Sequence, residues 1–259
     1  MLLEQPATCL DQTADVAQVQ IGQALFNAPD LLGGQAARAS LSCASCHSNG
    51  RRNPAFFLGG ISDVPGSADV SSSFFSRARA DGQFNPKPIP DLALPGKIDR
   101  NPASHALEKF IRGLIVEEFS GPEPSPSQLA GLASYVRALR ACPGRTSERR
   151  NLNTDLTLLH TSIAGAIGLL DQHDVAGASV LVKSARFRLG LIDERMTGGK
   201  LHRALLNASR KLGQLPPQGA ALQAWQTAFD RTVTPQLERN VSHSLYAPAV
   251  VDRWLAAKR

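Results

Sequence analysis

Cys43-Ala44-Ser45-Cys46-His47 is the stretch on which the reading of this chain turns. Two thiols separated by two residues, with an imidazole directly after the second, form the C-x-x-C-H pattern. In that pattern the thiols capture the vinyl groups of one porphyrin as thioethers, and the histidine turns onto the iron. A redox dithiol of the thioredoxin kind wants a strand before the motif and a βαβ pattern around it, and neither is legible here. A zinc site needs two further ligands, which Cys9 and Cys142 supply only by giving up a bond to each other. The expectation is one covalent haem c held by Cys43, Cys46 and His47.

Upstream of the motif, residues 14 to 27 set Val16, Val19, Ile21, Leu25 and Phe26 at helical intervals, with Pro29 just beyond. Residues 31 to 40, rich in Gly and Ala, read as a loop that delivers the chain to Cys43. Residues 49 to 99 hold Gly59-Gly60, Asp81-Gly82 and Asn85-Pro86-Lys87-Pro88-Ile89-Pro90, so little of that stretch can be regular helix. A loop this long inside a compact domain wraps around something, and Phe56, Phe57, Phe74, Phe75 and Phe84 are expected to pack within it. Asn101-Pro102 predicts a helix start leading into Ala106, Leu107, Phe110, Leu114 and Ile115, and Ser125-Pro126 another carrying Leu132, Tyr135 and Val136.

Beyond Arg145 the pattern becomes nearly continuous helix. Residues 152 to 170, 175 to 192, 201 to 212 and 220 to 237 form the segments, with a tail helix through Val250, Val251, Trp254 and Leu255. The breaks fall at residues 171 to 174, near Thr197-Gly198-Gly199, and at Leu215-Pro216-Pro217. Short links of this kind make antiparallel neighbours. The expected fold is therefore all-α: a cytochrome c-type haem domain over residues 1–143, then an antiparallel helical bundle over residues 144–259.

Ile21-Gly22-Gln23-Ala24-Leu25-Phe26 followed by Ser42-Cys43-Ala44-Ser45-Cys46-His47 resembles the N-terminal haem segment of the bacterial di-haem cytochrome c peroxidase and MauG-type family. Asn85-Pro86-Lys87-Pro88-Ile89-Pro90-Asp91-Leu92 and Tyr135-Val136-Arg137-Ala138-Leu139 suit the same resemblance, which covers residues 14 to 142. It implies haem binding and redox work. Those enzymes carry two C-x-x-C-H motifs and this chain carries one, so a peroxidase-type activity would need electrons from a partner protein.

The sixth position on the iron separates electron transfer from chemistry at the metal. The first domain has no methionine after Met1. The candidates are His105, Met196, a histidine of the second domain (His160, His173, His202 or His243), or an open iron. Arg51 and Arg52 follow the motif closely and are candidates to pair with haem propionates.

Composition sets the remaining bounds. Of 259 residues, 42% are hydrophobic but only 5% aromatic, which favours Leu, Val, Ile and Ala packing between helices. No apolar run is long enough to span a membrane, and no transmembrane segment is expected. Residues 1–143 hold 12 Lys/Arg against 13 Asp/Glu, whereas residues 144–259 hold 16 against 9, so all the excess positive charge lies in the second half. A solvated helical surface accounts for that, and no nucleic-acid partner is expected.

Covalent haem is installed outside the bacterial cytoplasm, where a Cys9–Cys142 disulfide also survives, so a periplasmic location is expected. Met1-Leu2-Leu3-Glu4 lacks the features of a secretory signal, which places any such signal outside this sequence. The leading expectation is a periplasmic single-electron carrier with a redox partner protein. The alternatives are a peroxidase-type oxidoreductase working at an open iron, and a haem-based sensor or docking module.

Overall fold

The computed structural model describes residues 4–75, 78–196 and 199–257; Met1, Leu2, Leu3, Thr197 and Gly198, on which the signal and one helix break were read, lie outside them. Most of the chain is helical. Residues 5–148 form one compact unit, and residues 149–257 with Glu4 form a second.

The first unit opens with two short strands, β1 (Glu4–Pro6) and β2 (Thr8–Leu10). Helix α1 (Val16–Phe26) follows, capped by the Asp15 carboxylate, which accepts from the amides of Ala17 and Gln18. Next come α2 (Gly34–Arg38), α3 (Cys43–Cys46), the two-residue strands β3 (Ser67–Ala68) and β4 (Lys87–Pro88), and α4 (Ala106–Gly113), which runs on as a π-helical turn, Leu114–Glu118. Helix α5 (Pro126–Ala138) starts at a reciprocal Ser125–Gln128 capping box with proline at its first position. Strands β5 (Leu139–Ala141) and β6 (Ser147–Arg149) end the unit by returning to its beginning, β5 on β2 and β6 on β1.

Helices α1 and α5 meet at their backbones. A Cβ on Gly22 would stand 1.9 Å from the Gly131 carbonyl oxygen and 2.6 Å from the Tyr135 Cβ, and one on Gly131 would stand 2.6 Å from a methyl of Ile21. Two glycines facing each other thus permit a close crossing that any side chain would spread apart. Around it Ile21, Leu25 and Leu132 are fully buried, each contributing about 1.5–3 kcal/mol. Phe26 meets Tyr135 edge-on at 5.2 Å.

Several elements differ from the sequence reading. Part of the expected loop at residues 31–40 is helical, because Gly33 and Gly34, at φ of 65° and 51°, turn the chain into α2. Asn101-Pro102 starts only a 3-10 turn, which His105, left-handed at φ 50°, interrupts before α4 begins. Of the five loop phenylalanines, Phe56 and Phe75 are buried while Phe57, Phe74 and Phe84 are exposed, Phe74 still meeting Phe75 edge-on at 5.1 Å. Phe75 packs edge-on against Phe119 at 4.9 Å. The paired strands were not foreseen, since pieces of two or three residues carry no alternation to read.

In the second unit α6 (Leu152–Asp171) packs on α7 (Val175–Arg195), and α7 on α8 (Gly199–Gly213). Helix α9 (Gly219–Thr232) lies against α6. The long segment expected over residues 220–237 is two helices, because Pro235 cannot continue one and instead begins α10 (Thr234–Asn240). Helix α11 (Pro248–Ala256) follows. Leu156, Leu159, Ile163, Ala166 and Leu169 of α6 and Leu181, Ala185, Leu189 and Ile192 of α7 supply buried stripes at helical spacing.

One charge cluster is sealed within this core. Asp155, fully buried, accepts from Arg150 at 2.6 Å, Arg188 at 3.0 Å and the Tyr246 hydroxyl at 2.7 Å. Arg195 stands over the Tyr246 ring. Burial pushes the Asp155 carboxyl up, but the Arg150 bond, the two guanidinium charges and the Tyr246 hydroxyl outweigh it and hold the group below its ordinary value.

Gly22→Val should destabilise the first unit by about 3 kcal/mol or prevent its folding, because the clash is with the Gly131 backbone carbonyl. Gly59→Ala, where a Cβ meets nothing within 4 Å, should stay within about 0.5 kcal/mol in the same denaturant titration. Asp155→Asn should cost the second unit about 3–5 kcal/mol, since it strands the buried Arg188 guanidinium and frees the half-buried Arg150. A carboxyl depressed in the folded state stabilises above its unfolded value, near pH 4, and loses that contribution as pH falls through its folded value. Melting the wild type and the variant across the acid range should therefore show a shallower acid limb for Asp155→Asn.

Candidate functional site

Cys43 and Cys46 occupy the two ends of the single helical turn α3, at positions i and i+3, so their thiols share one face. Ser42 precedes the turn, its amide donating to the Ser45 hydroxyl at 3.0 Å. The amide of His47 donates to the Cys43 carbonyl at 2.8 Å, ending the turn with the imidazole beside the thiols. Asn53 locks the outer side, its side chain donating to the Ser45 carbonyl and its amide to the Cys46 carbonyl. Both thiols are free.

The His47 ring has a defined orientation. Its Nδ1 lies 3.1 Å from the Pro90 carbonyl oxygen, which can only accept, so Nδ1 carries the proton and Nε2 keeps its lone pair for a ligand. Pro90 is held for this contact by its neighbours. Arg51 donates from Nε to Asp91 at 2.7 Å, and the Leu92 amide donates to the Gly50 carbonyl at 3.2 Å. The Ile89 amide donates to Gly66. On the other side, the Phe26 ring stands 6.4 Å from that of His47 and carries the α1–α5 crossing to the imidazole.

The turn after the motif is strapped down by the chain ends of the unit. Asn49, left-handed at φ 52°, donates to the Pro6 carbonyl and to Glu148, while its own carbonyl accepts from Thr8. Arg51 reaches the Ala7 carbonyl at 3.0 Å. Gly50, at φ 70°, sits on the Leu139 side chain, whose methyls would lie within 2.5 Å of a Cβ there. A disulfide joins Cys9 to Cys142 beside this strap, with the two Cα atoms 5.1 Å apart. Arg100 completes the frame by donating to the carbonyls of Leu92, Val136 and Arg137, which fastens the end of α5 to the proline-rich run.

Burial dominates the electrostatics. It pushes the Cys43 and Cys46 thiols up to about 12. It lowers His47 to about 4, against the opposing pull of the Pro90 carbonyl and Asp91, so the imidazole is neutral. Burial also raises Tyr135. An activated redox dithiol has lowered thiol values, the reverse of this pair. Cys9 and Cys142 are bonded to each other, and among the described residues no group of three or more His, Cys, Asp or Glu side chains gathers as a metal cage. The arrangement places two free thiols on one face of a helical turn, followed by a neutral imidazole whose Nε2 is left with its lone pair.

The other expected site residues are dispersed. Arg51 is half-buried and committed to Asp91 and Ala7, so it positions the Pro90 segment; Arg52 is exposed beside Gly66. His105 is exposed at the start of α4. Met196 is buried at the end of α7 in the second unit. In that unit His160 pairs with Asp230 and His202 with Asp193, His173 sits left-handed after α6, and His243 lies in a 3-10 turn.

Sequence reading missed Asn49, Asp91 and Arg100, which tie down the segments around the motif. Only the Asn49-Gly50 pair, a known turn dipeptide, offered a signal for any of them. No family model matches the chain, and no curated protein or solved structure matches it. Among the described residues no helix is long and apolar enough to cross a membrane.

Replacing both Cys9 and Cys142 by Ala should lower the stability of the first unit by about 2–5 kcal/mol, because the bridge closes a loop of 133 residues. Urea unfolding of the variant and of reduced wild type should show the same loss.

Proposed function

We propose that the chain is a c-type cytochrome with one covalent haem, passing single electrons in the periplasm between redox partner proteins. One observation carries the reading: the proximal imidazole is preset, its Nδ1 bonded to the Pro90 carbonyl, beside two free thiols on one helical turn. Cys43 and Cys46 would hold the porphyrin and His47 the iron; when bound, the haem supplies a one-electron couple. His47 needs no proton release to ligate, since burial keeps it neutral. Pro90, tethered through Arg51 and Asp91, fixes the imidazole plane, and Phe26 with Tyr135 excludes water on the α1 side.

The resemblance to the di-haem peroxidase family supports the haem and not the peroxidase chemistry, because that family's second attachment motif has no counterpart here. The Cys9–Cys142 disulfide supports an oxidising compartment. In this reading the first unit is a cytochrome domain and the second a helical bundle that serves as a docking platform.

Expressed with a c-type maturation system, the denatured protein should keep the mass of one haem, and the variant carrying both Cys43→Ser and Cys46→Ser should lose it. Unmodified polypeptide, under conditions that load a control cytochrome, would overturn the proposal. A low-spin six-coordinate absorption spectrum is expected for an electron carrier; a high-spin five-coordinate spectrum would move the function to peroxide chemistry at an open iron.

A further inference from the structure

We infer that the groove between α8 and α9 is a docking surface for an acidic amphipathic helix of a partner protein. The inference rests on the second unit alone and stands whether or not the first unit carries haem.

Helix α8 is 15 residues long and contains Lys200, Arg203, Arg210 and Lys211 but no acidic residue. All four cations are exposed, and none has an ion-pair partner among the described residues. That differs from the first unit, where Arg79, Arg112, Arg137 and Arg140 each meet a carboxylate. The opposite face of α8 is spent on the core, through Leu201, Leu205, Ala208 and Leu212.

Where α9 lines the groove its exposed residues are small and neutral, Ala228 and Thr232, while Gln223 and Arg231 are exposed elsewhere on the helix. Its single acid, Asp230, is turned to His160 at 2.9 Å. Between the walls lies a cavity of about 260 Å³, floored by Trp225 and Phe229, whose rings stack at 5.3 Å. Trp225 is pinned there, its Nε1 donating to the Ala208 carbonyl at 3.1 Å.

Each feature narrows the occupant. The cations span about 17 Å along α8, with Lys211 on the groove wall itself, a length matched by about three turns of an acidic helix lying alongside. The small residues of α9 admit such a helix closely, and the shallow cavity takes one or two of its apolar side chains. Nucleic acid would want exposed rings for stacking, and here the rings are buried in the floor. A membrane surface would want an exposed apolar face, and Leu206, 39% exposed, is the only large apolar side chain α8 presents.

The test titrates the full chain with a helical peptide of about 20 residues, with Glu on its polar face and Leu and Ala on the other. The comparison probes are the same peptide with Lys for Glu, a disordered Glu-rich peptide of equal charge, duplex DNA, and phosphatidylglycerol vesicles. Calorimetry should show saturable binding of the acidic helix, tighter than of every other probe. The combined charge reversals Lys200→Glu, Arg203→Glu, Arg210→Glu and Lys211→Glu should weaken it at least about tenfold. Ala228→Arg, which fills the groove without removing a cation, should weaken it comparably. All five positions are exposed, and unchanged circular dichroism would confirm folding. Absent binding, binding indifferent to either variant, or equal or tighter binding of the disordered peptide, the DNA or the vesicles would each overturn the inference.

Discussion

The backbone contact of Gly22 with Gly131 is the constraint on which the first unit rests. It brings α1 and α5 close enough for Phe26 to meet Tyr135, and Phe26 in turn stands beside His47. It also sets where α5 ends, and with it where Leu139 lies beneath Gly50 in the turn that follows the cysteine motif. A side chain at either glycine would alter the crossing and, through it, the setting of the imidazole. The site is thus positioned from a distance by two residues that carry no functional group.

Local chemistry was legible where one residue type dictates one conformation. Ser125-Pro126 announced α5 through capping, and the apolar spacing of Val16, Val19, Ile21 and Leu25 announced α1. The Cys43-to-His47 pattern was legible because it is contiguous in the chain and needs no tertiary context to be seen. What escaped was set by tertiary context. Arg100 gains its role from carbonyls at Leu92 and Val136, far away in sequence, and the strands β1 and β2 exist because β6 and β5 return to them. The exposed Phe57 and Phe84 illustrate the limit of composition: an aromatic in a loop marks a large apolar surface but not which way it faces. The break at Pro235 was in plain view, but the apolar spacing of Trp225, Phe229 and Leu237 continues across it and hides it.

The two units use charge in opposite ways. In the first, Arg79, Arg112, Arg137 and Arg140 meet carboxylates, and Arg51, Arg100 and Arg137 act as clamps on backbone or carboxylate. In the second, one buried aspartate gathers the buried Arg188, the half-buried Arg150 and a tyrosine, while α8 leaves its cations facing solvent. Buried pairing of this kind fixes the arrangement of a core at a desolvation cost, whereas exposed cations cost the fold little and remain available to other molecules.

The strands β1 and β6 give the first unit one further property. Gln5 donates to Glu148 at 3.0 Å, so the chain enters and leaves this unit at a single doorway. A segment whose two ends are neighbours behaves as a cassette: it can be carried within another polypeptide, or have its ends rejoined and new ones opened elsewhere, without stretching either host or guest. The order of events in synthesis follows from the same doorway. The cysteine motif emerges from the ribosome a hundred residues before Glu148, so the bond from Asn49 to Glu148 forms only once the whole cassette has been made.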